Sequence, residues 1–129
     1  MPYREETLLT LLAYDGLVYV LECQYWLKFS VREVEPSVRV PHGAGYSFTL
    51  HSPDGERELG FDNAHPVPRL GNQLVNAPVA SDHWHRDGTD SGRPYDFVSA
   101  EQLIIDFFSA VEKRLNELDL EFVVKDTRS

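Results

Sequence analysis

The chain is poor in the groups that staple or anchor a small protein. Cys23 is its single cysteine among 129 residues, so an intramolecular disulfide and a zinc site of several cysteines are both excluded. No apolar run approaches the roughly 18 residues that span a bilayer. The stretch Met1 to Glu6 is charged and lacks the apolar centre of a secretory signal, so a cytoplasmic protein is expected. Positive charge is scarce as well: 12 Lys and Arg stand against 21 Asp and Glu, a formal net charge of -9. That balance argues against broad salt-driven binding to nucleic acid, whose affinity comes mostly from clustered cations, and it suits a basic protein partner. A glycine-rich phosphate loop, a dinucleotide fingerprint, G-x-S-x-G and H-E-x-x-H are also missing, and no cofactor is expected.

What is present is an ordinary globular composition, 42% hydrophobic and 26% charged. It is enough for one core and too little for two, so residues 1–129 read as a single domain. Three segments are periodic. From Leu17 to Arg32 the odd positions are Leu17, Tyr19, Leu21, Cys23, Tyr25, Leu27, Phe29 and Val31, while the even ones turn polar from Glu22 onward apart from Trp26. Alternation of that length predicts one long bent or bulged strand with Cys23 as a small core filler. Asp15-Gly16 before it is a hairpin dipeptide, which makes Thr7 to Tyr14 a partner strand, although its leucines also fit a helix. Tyr46, Phe48 and Leu50 alternate next, Ser52-Pro53-Asp54-Gly55 forms a turn, and Leu59 and Phe61 return, giving a second hairpin after a loop over 36–45.

The third segment predicts a helix over 99–118. Val98, Leu103, Ile104, Phe107, Phe108, Val111, Leu115 and Leu118 form its apolar stripe, and Ser99 with Gln102 makes a capping box. Leu120 to Lys125 fits a short strand or a helical extension. The expected fold is α+β: a bent antiparallel sheet of five to six strands, with one long C-terminal helix packed on it.

Between the second hairpin and this helix, residues 62–97 form an irregular functional-loop region holding four of the eight prolines. Its polar motifs are Asp62-Asn63-Ala64-His65, Asp82-His83-Trp84-His85-Arg86, Arg69, and Arg93-Pro94-Tyr95-Asp96. On a strand, His83 and His85 share one face and Trp84 takes the other. One chemical reading is acid–base catalysis, in which one imidazole takes a proton from a ribose 2′-hydroxyl and another protonates the leaving oxygen. Asp62 would then orient a ring, and Arg86, Arg69 or Arg93 would stabilise the phosphate. A second is a metal-dependent hydrolase, with His83, His85 and either His65 or Asp62 as three ligands and one open position. A third is structural: Asp62-Asn63 as a turn, the histidines as exposed strand residues, Tyr95 as packing, and the whole as a non-catalytic acidic domain that binds a basic DNA-binding partner.

The order Tyr46-Ser47-Phe48-Thr49-Leu50-His51, Asp54-Gly55, Gly60-Phe61-Asp62-Asn63-Ala64-His65, His83-Trp84-His85 and an aliphatic C-terminal helix resembles the TumE-like toxins of two-gene toxin–antitoxin modules. The resemblance covers roughly residues 15 to 115, and its specific parts are Asp62-Asn63-Ala64 and the histidine pair. Residues 67 to 80 look inserted relative to that family pattern, and Trp84 and Arg86 stand where lysine is common. The resemblance implies a toxin and a helix-turn-helix antitoxin partner encoded nearby. Together with the polar cluster it implies attack on RNA through Asp62, Asn63, His65, His83, His85 and Arg86. Apolar edge strands are compatible with a homodimer. Charge does not support an RNA contact but no longer opposes one: residues 101–126 hold seven acids against three bases and could dock a basic partner, whereas residues 62–95 hold four acids against three arginines and three histidines.

Overall fold

The computed structural model describes residues 2–36, 43–63, 83–85, 93–95 and 97–125, with the backbone alone at 2–5, 83, 85, 93 and 94. Helix α1 (Pro2–Leu12) comes first. Strands β1 (Val18–Val20), β2 (Trp26–Glu33), β3 (Ala44–His51) and β4 (Arg57–Asp62) follow, then the short β5 (His83–His85) and β6 (Arg93–Pro94), and helix α2 (Ala100–Glu117). Strands pair in chain order, every neighbour antiparallel. Antiparallel neighbours need only short connections, so β1 to β4 form a meander on which everything else is mounted. The expected α+β class, antiparallel sheet and C-terminal helix are all found.

The alternation over 17–32 belongs to two strands rather than one. Gln24 adopts φ 75, its N–H donates to the Leu21 carbonyl at 2.9 Å, and the Leu21 N–H donates to Tyr25 at 2.8 Å. The chain turns there through a three-residue loop closed by a left-handed residue. Because that loop is odd in length, Tyr19 faces Leu27 and Val18 faces Lys28, and odd positions stay on one face in both arms. A single long strand and this hairpin therefore print the same pattern. Glycine usually marks a left-handed position; here glutamine fills it.

Thr7 to Tyr14 is helical or turn rather than a partner strand, and Asp15-Gly16 joins α1 to β1. Gly16, at φ 83, donates its N–H to the Phe29 carbonyl at 2.9 Å, and Asp15 Oδ1 accepts from Val31 N–H at 2.8 Å. The dipeptide thus starts pairing with β2 instead of turning a hairpin on its own axis. The second hairpin is found, although β3 begins at Ala44, because Ala44 and Gly45, expected in the loop, pair with Glu33 and Arg32. Ser52 N–H donates to Glu56, and Gly55 at φ 93 closes the turn. Within it Asp54 accepts from the Ser52 hydroxyl and from Glu56 N–H. These bonds, the Ser52 one first, hold its carboxyl below the usual range. Leu120 to Lys125 runs extended rather than helical, bridging Leu21 through Val124 and donating Lys125 N–H to Val20 at 2.7 Å.

Both helices lie on one face of the sheet. Leu11 of α1 and Leu103, Phe107, Val111 and Leu115 of α2 share a buried core with Leu27, Phe29, Phe48, Leu50, Leu59 and Phe61. Phe107 alone meets Phe29 at 5.5 Å, Phe48 at 5.6 Å and Phe61 at 5.8 Å between ring centroids, one phenylalanine on each of β2, β3 and β4. Cys23 is half-buried against this core. The Arg114–Glu58 pair, 3.0 Å apart, ties α2 to β4 at its edge.

Candidate active site

The pleat sends the even residues of β2 and the odd residues of β3 to the face opposite the helices. Register then arranges that face in transverse rows. One row is Ser30, Ser47, Asp62 and His83, each the direct partner of the next; the neighbouring row is Lys28, Thr49, Gly60 and His85. Directly opposed residues in an antiparallel pair share a face with their Cβ atoms about 5 Å apart. Positions 62, 83 and 85 therefore converge on one corner of the sheet from segments twenty residues apart in sequence. Phe61 and Trp84 point the other way and stack at 5.9 Å over the core, as the alternation of His83-Trp84-His85 predicts.

Asn63, just past the end of β4, is buried and uses its whole amide on β3. Its Oδ1 accepts from Tyr46 N–H at 2.9 Å, and its Nδ2 donates to the Ala44 carbonyl at 2.8 Å. Its backbone N–H also donates to the Tyr46 carbonyl at 3.3 Å, so backbone and side chain together extend the pairing with β3 one residue past the end of β4. Asp62, 9% exposed, is thereby held at the point where the sheet ends. Tyr95 packs its ring on Phe61 at 5.2 Å and donates its hydroxyl to Asp106 Oδ2 at 2.6 Å, while Gln102 donates to Oδ1 of the same carboxylate at 2.8 Å. The segment after β6 is thus fastened to α2.

Among the sequence-predicted site residues, Asp62 and Asn63 are adjacent at this corner and the backbone of His83 and His85 runs beside them. His65 and Arg86, with Arg69 and Asp82, lie outside the described residues. Among the described residues no three His, Cys, Asp or Glu side chains come together as metal ligands.

A second feature of this face was not signalled as a site. Trp26 stacks on His51 at 4.1 Å and 12°. His51 Nδ1 lies 3.2 Å from the Gly55 carbonyl, which can only accept, so Nδ1 carries the proton and Nε2 accepts from the Thr49 hydroxyl at 2.9 Å. Burial, reinforced by Lys28 and Arg57, pushes the His51 pKa down, consistent with that neutral tautomer. The available signal was the polar half of the β2 and β3 alternation, which carries Trp26, Lys28, Arg32 and His51 on one face.

An antiparallel α+β fold with a polar corner on the face opposite its described helices is a scaffold class shared by many activities. The sequence identifies the branch: the family described as Toxin TumE matches residues 25–115, 91 of the 129 residues, and the chain belongs to that toxin family. No curated protein and no solved structure matches it. Among the described residues no helix is long and apolar enough to cross a membrane.

Proposed function

We infer that this chain is the toxin of a two-gene toxin–antitoxin module and acts in the cytoplasm as an RNA-cleaving enzyme, using metal-free acid–base chemistry. Its scaffold is a single domain over 1–129, a bent sheet of five to six strands under one long C-terminal helix. The observation that supports the chemistry is the register pairing of Asp62 with His83, with His85 paired one row away opposite Gly60. One imidazole of the set His65, His83 and His85 takes the ribose 2′-hydroxyl proton. The 2′-oxygen attacks phosphorus, the P–O5′ bond breaks, and the departing 5′-oxygen receives a proton from a second imidazole. The products are a 2′,3′-cyclic phosphate and a 5′-hydroxyl, and no water or metal enters the balance.

Asp62 orients a ring N–H, Asn63 holds the end of β4 against β3, and Arg86 stabilises charge on the phosphate. The partner is a helix-turn-helix antitoxin whose basic surface meets the acidic, helix-bearing end of the chain. Expressed without its antitoxin, the protein stops growth, and cleaved RNA carries cyclic-phosphate ends whether or not a chelator is present. His83→Ala and His85→Ala each slow cleavage about a hundredfold or more and relieve the growth arrest. Full toxicity in both variants, or harmless expression of the unsubstituted chain, overturns the reading.

A further inference from the structure

The net charge of -9 conceals a separation. At the outward positions of β2, β3 and β4 stand Lys28, Arg32 and the His51 partner Arg57, against the one carboxylate Asp62. Lys28 and Arg32 are exposed and lie on the same side of β2, with Ser30 between them on that side. Among the described residues the other acids near this strip stand at its ends: Glu33 is the last residue of β2, Glu35 lies two residues past it, and Asp54 and Glu56 sit in the β3–β4 turn. The Trp26–His51 pair closes one end of the strip as two parallel rings. At the far side the strip meets Asp62 on β4 and His83 on β5, two and three strand spacings from β2, or about 10 and 14 Å.

A row of cations beside a flat aromatic platform is complementary to a polyanion that also offers free ring faces. Single-stranded RNA has both properties, whereas a duplex hides its base faces in the stack and an acidic peptide has none. The geometry points to this strip, on the face opposite α1 and α2, as the track that binds single-stranded RNA. Lys28, Arg32 and Arg57 take phosphates, Trp26 with His51 beneath it stacks a base, and the strand is led toward the Asp62–His83 corner. The assignment rests on the RNA-cleaving reading for its substrate, and it adds where and in what form that substrate lies.

The test is anisotropy titration of the full chain with a fluorescein-labelled, single-stranded 2′-O-methyl oligoribonucleotide, which has no 2′-hydroxyl to be cut. Saturable binding is expected, with the matching duplex bound at least about tenfold more weakly. Lys28→Ala with Arg32→Ala, both exposed and so without effect on melting, weakens binding about tenfold or more. It also reduces the log–log salt slope by about 1.4, the value for two phosphates on a single strand. Trp26→Ala weakens binding by about 5- to 100-fold, and Trp26→Phe, which keeps a stacking ring, restores most of it. No binding by the unsubstituted chain, equal binding of duplex, or an unchanged salt slope in the double variant overturns the assignment. The two readings separate in a parallel assay on cleavable RNA. Cleavage with a kcat/KM untouched by Lys28→Ala and Arg32→Ala leaves an enzyme without this track. Binding through the track with no cleavage leaves the track without the enzyme.

Discussion

Asn63 shows how one side chain can set the position of another. Its neighbour Asp62 is the last residue of β4, where a strand without a continuing partner ordinarily frays; the amide of Asn63 takes over the pairing with Ala44 and Tyr46. Alanine at this position would leave the Ala44 carbonyl and the Tyr46 N–H of a buried strand unmatched. Asn63→Ala is therefore expected to cost about 2–4 kcal/mol in denaturant unfolding. The loss should exceed that of a surface substitution such as Glu112→Ala, which stays within about 0.5 kcal/mol. In the sequence, Asp62-Asn63 is visible as a polar step after an apolar strand, and a turn or a site fits it equally. The role of Asn63 depends on a partner 17 and 19 residues away, and no local pattern encodes that distance.

At the scale of elements, helix α2 was the most legible. An apolar stripe at helical spacing can be buried in only one way, and a Ser at the cap marks where it starts. The observed helix runs Ala100–Glu117, with Ser99 Oγ accepting from Gln102 N–H at 3.1 Å. Half of the expected capping box is not made, because the Gln102 side chain reaches Asp106 instead. Asp106 in turn holds Tyr95, so the first two turns of α2 anchor the chain that comes from β6. Ser99→Ala is expected to lower stability by about 1 kcal/mol, read as a drop in the denaturation midpoint with unchanged slope. The strands were legible as faces and not as connections. Alternation names which residues are buried, but a three-residue loop preserves its parity, so the turn at Gln24 left no mark. The leucines of α1 fitted either a strand or a helix, and contact with β2, β3 and α2 decided for the helix.

For the molecule as a whole, one ring joins the layers. Phe107 is fully buried and meets a phenylalanine on each of three adjacent strands. Phe107→Ala is expected to cost about 3–5 kcal/mol, a large share of the stability of a domain this size, and calorimetry should show one transition shifted to lower temperature rather than two. The same two-sided construction divides the charge. Helices and the C-terminal segment collect acids on one side, while the face of the sheet opposite the two described helices keeps Lys28, Arg32 and Arg57 beside the Asp62 corner. Composition alone records only the sum, and the sum argues against nucleic acid. The sequence by itself determined the α+β class, the buried face of each strand, the C-terminal helix and the family, because burial periodicity and short motifs are local properties of the chain. Only the tertiary structure decided that Asp62 opposes His83, that Asn63 binds β3, and that the scarce cations share a face with Trp26 and His51. Each of these is a matter of register between distant segments, and register is set by how the whole core packs.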